Sequence, residues 1–209
     1  MITIIDYGLG NVQAFVNIYK KLHIPVCVAK CVGDLDQVSK LILPGVGHFD
    51  SAMQRFNNSG MRYRVEELVF QQNIPILGVC VGMQMMASAS EEGREPGLGW
   101  IDGTVRSLES TAINNALPLP HMGWNNIRPI EKKGLFNCSD AVFLEFYFLH
   151  SYYFDCDSQE NFLAEVDYGE KFCCAINSKN IFGVQFHPEK SHDFGVSLLK
   201  NFAEINLNA

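Results

Sequence analysis

Cys80 stands between Gly78 and Gly82 in the run ILGVCVGMQ, a spacing that suits nucleophilic chemistry. The preceding IPILG, from Ile74, has the length and branched side chains of a strand, and helical text follows, so Cys80 is predicted on a sharp strand-to-helix turn. Flanking glycines suit such a turn, because bulky neighbours would clash where the backbone is strained. The N–H groups that open the helix, with their positive dipole end, favour a thiolate. An exposed nucleophile is the expectation. The competing reading is a structural cysteine buried at the end of a core strand.

A thiolate nucleophile needs a base, and the base needs an orienting group. The segment IFGVQFHPEKS, Ile181 to Ser191, supplies His187 and Glu189 on either side of Pro188. On an extended backbone residues two apart share a side, so Glu189 can hold one imidazole nitrogen while the other faces Cys80. The fixed φ of Pro188 is expected to keep this stretch extended and to delay any following helix. Acyl transfer to a thiolate also passes through a tetrahedral oxyanion. The strand-like KLILP runs into PGVGHF, where Gly45, Val46 and Gly47 form a loop able to aim backbone N–H groups at it, together with the Val81 N–H. A Pro-Gly loop alone is also an ordinary strand-exit turn.

Elements to carry these residues are legible. MITIIDYG, PVCVA, KLILP and IPILG read as strands, alternating with an amphipathic helix from Val12 to Leu22, capped by Asn11, and a helix over Met61 to Gln72. This pattern predicts an α/β fold: an open, mostly parallel twisted sheet with helices on both faces. Antiparallel strands are expected in the second half, at Gly103 to Leu108, Phe143 to Tyr153, Phe162 to Tyr168, Lys171 to Ile176 and Ile181 to Phe186, before a closing helix with Val196, Leu198, Leu199, Phe202 and Ile205. In such a sheet, ligands sit beyond the carboxyl ends of the strands, where Cys80 falls.

With 209 residues, 47% hydrophobic and 19% charged, the chain suits one domain over 1–209. A net charge of −7, with no basic cluster longer than Lys132–Lys133, argues against a nucleic-acid partner. Apolar runs are only strand-sized, so no membrane span or secretory signal is expected and the cytoplasm is the predicted location. The seven cysteines, at 27, 31, 80, 138, 156, 173 and 174, show no C-x-x-C pairing, so neither a disulfide framework nor a metal site is expected.

PGVG, GVCVGMQ and GVQFHPEKS, in this order, resemble the class I (triad) glutamine amidotransferases along nearly the whole chain. Within that family, PHMGWNNI at Pro120 to Ile127 and FYFLHSYYF at Phe146 to Phe154 are similar to the glutaminase subunits of imidazole glycerol phosphate synthases. The chain departs mildly in having Val81 where leucine commonly follows the cysteine. The resemblance implies a flavodoxin-like fold, L-glutamine as substrate, ammonia and glutamate as products and no cofactor. It also implies a heterodimer with a (β/α)8 cyclase subunit that receives the ammonia through a tunnel. Carried over by motif, Cys80 is the nucleophile, His187 the general base and acid, and Glu189 its orienter. Gly47, Gln84, Glu92, His150, Ser151 and Tyr152 would line the glutamine pocket, with Asn11, Trp124, Asn125, Tyr147 and Lys190 toward the partner. A glutaminase feeding a sugar amidotransferase, a stand-alone thiol hydrolase and a catalytically silent binding module are the alternatives.

Overall fold

The computed structural model describes residues 1–114, 116–137 and 143–206. In chain order the elements are β1 (Ile2–Ile5), α1 (Val12–Lys21), β2 (Val26–Ala29), β3 (Lys40–Gly45), α2 (Phe49–Asn58), α3 (Arg62–Phe70), β4 (Ile76–Cys80), α4 (Val81–Gln84) and β5 (Ala89–Ser90). There follow β6 (Gly103–Ser107), α5 (Glu109–Asn114), β7 (His121–Pro129), β8 (Leu144–His150), β9 (Tyr152–Cys156), β10 (Phe162–Tyr168), β11 (Glu170–Ser178), β12 (Ile181–Val184) and α6 (His192–Glu204).

A nine-stranded sheet runs β2-β1-β3-β4-β12-β11-β10-β7-β8. Its first half is parallel from β2 to β12, and every later pairing is antiparallel. The mixed α/β class is the expected one, and the antiparallel extension supplies four of the nine strands. Burial follows the same division: β1, β4 and β12 are buried at every position, as parallel strands covered on both faces must be. β8 instead alternates buried and accessible residues, leaving one face of the extension open. A smaller sheet, β5-β6-β9, lies beside it.

Sequence and structure part in a few places. The helix α2 was not anticipated, although Phe49, Ala52, Met53 and Phe56 bury one stripe of it at helical spacing. Nor was β7, whose text is interrupted by asparagines and a glycine. The stretch expected as one strand from Phe143 breaks at Ser151 into β8 and β9. Asn11 occupies the N-cap of α1 without a side-chain hydrogen bond, and α1 is held by its buried Phe15, Val16 and Tyr19, the last donating to the Leu199 carbonyl of α6 at 3.1 Å. Among the described cysteines none is in a disulfide; Cys31 is exposed, and Cys138 lies outside the described residues. No described helix is long and apolar enough to cross a membrane.

The strand pair β3–β4 and the short α4 form the platform for the site. A Cβ on Gly82 would come within 2.0 Å of the Leu43 carbonyl oxygen, and one on Gly45 within 2.3 Å of the Gly82 nitrogen. α4 therefore lies directly on the β3 backbone, an approach that no side chain permits. Gly82→Ala should lower unfolding stability in urea by about 1–3 kcal/mol, the range for overpacking a filled interior, and Cys80 alkylation should change with it; an unaltered urea midpoint would show that α4 is free to move off β3.

Candidate active site

Cys80 ends β4 with φ 54° and ψ −115°, a conformation rare for a residue with a side chain, and α4 begins at the next residue. Such strain persists only where the surroundings over-determine it, and here the packed backbones of β3 and α4 do so. The thiol is not on the open surface as expected. Cys80 is 4% exposed and lies in the wall of a cleft of about 390 Å³. The turn presents it to a cleft rather than to the outer surface, where electrostatic interactions are stronger than in bulk water.

His187 and Glu189 converge on it. His187 Nδ1 lies 2.9 Å from Glu189 Oε1, and both side chains are almost wholly buried. The route differs from the expected one: a 3-10 turn over Pro188–Lys190 begins at Pro188 itself. A proline at the first helical position loses no hydrogen bond and has the right φ, so Pro188 starts the turn that it was expected to delay. Burial disfavours an imidazolium at His187, but its hydrogen bonds to Cys80 and Glu189 and their charges outweigh burial and raise its pKa to about 10. The second Glu189 oxygen, Oε2, is buried and has no hydrogen-bond partner among the described residues, so this carboxylate is directed mainly at the imidazole. Ser191, unanticipated and fully buried, fixes the base from behind: its hydroxyl donates to the His187 carbonyl at 2.6 Å and accepts the Tyr147 N–H at 3.0 Å.

Val46, Gly47 and Val81 border the cleft beside Cys80, as an oxyanion site requires. Gly45 does not. It is taken up by the packing of β3 on α4, so its role is to seat the elbow. Gly47 has φ +85° with open space where a Cβ would stand, so backbone conformation is what calls for glycine there. Tyr7, also missed, steadies the loop: its hydroxyl donates to the Pro44 carbonyl at 2.7 Å, and burial, with the neighbouring Cys80, raises its pKa. The signal available for it was DYG at the end of a core strand.

Gln84, Glu92, His150, Ser151 and Tyr152 all border the cleft, as expected. Several of their polar groups are already engaged. Glu92 Oε2 accepts the Phe49 N–H at 2.8 Å, anchoring the start of α2 where a carboxylate suits the helix dipole. Gln84 Nε2 donates to the Tyr152 carbonyl at 2.9 Å and to Gln185 Oε1 at 3.1 Å, and Gln185 Nε2 faces Cys80 Sγ at 3.7 Å. Gln185 is wholly buried and was not singled out. His150 has both ring nitrogens occupied, by the Tyr152 carbonyl and by His121, and burial lowers its pKa to about 3.

Of the residues expected to face a partner, Trp124 and Tyr147 are opposite each other across β7 and β8, with rings 6.0 Å apart, and Lys190 Nζ lies 5.6 Å from the Tyr147 ring. Asn125 is turned the other way. It pairs with buried Phe146, and its amide donates to the Asp167 carbonyl at 2.9 Å. Asn11 is exposed at the start of α1, after Gly10, whose close packing on Pro44 ties that loop to PGVG.

The sequence profile of the family described as "Glutamine amidotransferase class-I" matches residues 3–205. The chain is 54% identical to the "Imidazole glycerol phosphate synthase subunit HisH" of Bdellovibrio bacteriovorus, over 98% of this chain and 100% of that one. It is 48% identical to the protein of the same name from Leptospira interrogans, with the same coverage. Among solved structures it is similar to one described as "Crystal structure of glutamine amidotransferase", with a TM-score of 0.74 and 16% identity over 98% of this chain and 99% of that chain. At that identity the likeness shows a shared fold.

A raised folded-state pKa makes the pH dependence of His187 definite. Its pKa rises on folding from 6.5 to about 10, so its contribution to stability is full below the lower value and lost as pH climbs through the higher. The stability advantage of the parent protein over His187→Gln, measured by urea unfolding, should therefore shrink steadily across that window. An advantage that grows with pH would contradict the assignment.

Proposed function

The chain belongs to the class-I glutamine amidotransferases, and we propose that within them it is the glutaminase subunit of an imidazole glycerol phosphate synthase, acting in histidine biosynthesis. The observation that carries the reading is a cysteine at positive φ on a strand-to-helix elbow, sharing one cleft with His187, whose buried imidazole meets Cys80 and is held by Glu189 from the other side. Residues 1–209 act as one glutaminase domain in the cytoplasm.

L-Glutamine occupies the cleft with its side-chain carbonyl at Cys80. The thiolate attacks that carbon, the C=O electrons move onto oxygen, and the Val81 N–H with one from the Val46–Gly47 loop stabilises the oxyanion. When the tetrahedral species collapses, the His187 imidazolium gives its proton to the amide nitrogen as the C–N bond breaks, and that nitrogen leaves as ammonia. His187, now neutral, takes a proton from water, whose oxygen attacks the thioester. Glutamate leaves and the thiolate–imidazolium pair is restored. Glu189 keeps Nδ1 protonated and Nε2 toward the reacting groups, as in other triads.

Ammonia then passes to a (β/α)8 cyclase subunit, which makes imidazole glycerol phosphate and an aminoimidazole carboxamide nucleotide. A closed passage matters because free ammonia is mostly protonated at neutral pH and no longer nucleophilic. The open face of β7 and β8, with Met122 64% and Trp124 42% exposed and Leu149 beside them, is the docking surface for that subunit.

Glutamate release should be measured for the chain alone and with a cyclase-type barrel subunit and its nucleotide. Turnover that requires both the partner and Cys80 is expected, with Cys80→Ala inactive. Glu189→Gln should lower kcat by roughly 10²-fold to 10⁴-fold, the range for losing the orienter of a catalytic histidine. Partner-indifferent turnover would point to a stand-alone thiol hydrolase instead.

A further inference from the structure

From the wall of the cleft a line of largely buried polar groups runs from Cys80 to β7. Gln185 Nε2 faces Cys80, Gln185 Oε1 accepts from Gln84, and Gln84 donates also to the Tyr152 carbonyl. The same carbonyl is met by His150 Nδ1 at 2.8 Å, and His150 Nε2 lies 3.0 Å from His121 Nδ1. His121 Nε2 lies 3.2 Å from Asn125 Nδ2, whose other proton goes to the Asp167 carbonyl. The direction of every bond is fixed by its ends. A carbonyl only accepts, so His150 carries its proton on Nδ1 and accepts at Nε2. His121 then donates from Nδ1 and accepts at Nε2 from Asn125, whose Oδ1 is held by the Asn126 N–H at 2.8 Å. Burial lowers both imidazole pKa values, to about 4 at His121 and about 3 at His150, which keeps the pair neutral and the arrangement single at neutral pH.

We propose that His121 and Gln185 are positioning residues of the glutaminase site, linked through His150, Tyr152 and Gln84, so that the β7 strand which carries the docking face sets the geometry around Cys80. The proposal rests on reading Cys80 as the nucleophile. At one end, the Gln185 amide presents an N–H to the Cys80 sulfur, alongside the hydrogen bond from His187, and an N–H aimed at an anion is among the stronger hydrogen bonds. At the other end, His121 is stacked between Phe148, at 4.7 Å, and Tyr168, at 4.0 Å, so its ring cannot turn to satisfy a shifted partner. Its neighbours on β7, Met122 and Trp124, point to the open face. A partner that shifts β7 therefore shifts His121, and with it the Tyr152 carbonyl that anchors Gln84 and, through Gln84, Gln185. The chain is most tightly coupled at its buried links, Gln84–Gln185 and His121–His150, where breaking a bond leaves a polar group without its partner.

The test is iodoacetamide alkylation of Cys80 in the full-length chain, followed by mass spectrometry across pH. Gln185→Met, similar in volume but without the donor, should slow alkylation at neutral pH roughly tenfold. His121→Phe, which keeps the stack and removes both nitrogens, should slow it by about threefold, and His121→Asn, which retains a donor in place of Nδ1, should restore most of the rate. Should His121→Phe not fold, Asn125→Leu tests the same link at a half-buried position and should slow alkylation likewise. A rate unchanged in His121→Phe or in Asn125→Leu, or equal losses in His121→Phe and His121→Asn, would overturn the linkage and leave the Cys80 reading intact. Glutamate release that survives Cys80→Ala in the complex would remove the reading itself, and the proposal with it.

Discussion

The backbone of α4 lies on the backbone of β3 with nothing between them, because Gly45 and Gly82 have no side chains to hold them apart. That contact determines where the polypeptide can go after β4. The chain must turn within one residue, and Cys80 takes a positive φ to do it. Once it has turned, the thiol is aimed into the cleft and the first turn of α4 is delivered beside it. The PGVG loop leaves the same strand, β3, on which α4 rests, so nucleophile and oxyanion donors are referenced to one another through the sheet. Positions off this platform vary in how well they were anticipated; positions on it follow from the requirement for close approach.

The second requirement is a dry interior whose charges are matched. Two buried histidines approach the cleft, and burial acts on both in the same sense, against the charged form. At His150 burial is reinforced by the neighbouring His121 and His187 and only partly offset by the hydrogen bond to the Tyr152 carbonyl, with no carboxylate beside it, and its pKa falls to about 3. At His187 the thiol of Cys80 and the Glu189 carboxylate reverse the outcome, and its pKa rises to about 10. One fold thus holds a proton-carrying histidine and a fixed neutral one a short distance apart, and the difference lies in the charge of their neighbours. The first suits proton transfer to a leaving amine. The second suits a structural strut.

Much of this was legible in the sequence because it was written in local patterns. The elbow declares itself through glycines about a cysteine after an apolar run, and the triad through His187 and Glu189 two residues apart. What was hidden depends on contacts between distant segments. Gln185, Tyr7 and Ser191 each meet a partner that only the sheet order brings near: Cys80 for Gln185, through adjacent β4 and β12 about a hundred residues apart, Pro44 for Tyr7 and Tyr147 for Ser191. β7 escaped because its polar inner residues, His121 and Asn125, satisfy each other and Asp167 rather than water, which breaks the expected alternation. α2 did carry its signal, a stripe at Phe49, Ala52, Met53 and Phe56, overshadowed by the loop before it. The 3-10 turn at Pro188 shows the limit of residue rules: proline both delays and starts helices, and the carboxylate it brings under the imidazole could not be read from proline alone.

The central claim is that Cys80, held at the elbow, forms a covalent glutamyl intermediate. The most direct test is an acid quench of the complex during turnover of glutamine, followed by peptide mass spectrometry. The account predicts a glutamyl mass on the peptide that contains Cys80, accumulating when thioester hydrolysis is slowed. Glutamate formed with no adduct on that peptide, or an adduct on another cysteine, would contradict it.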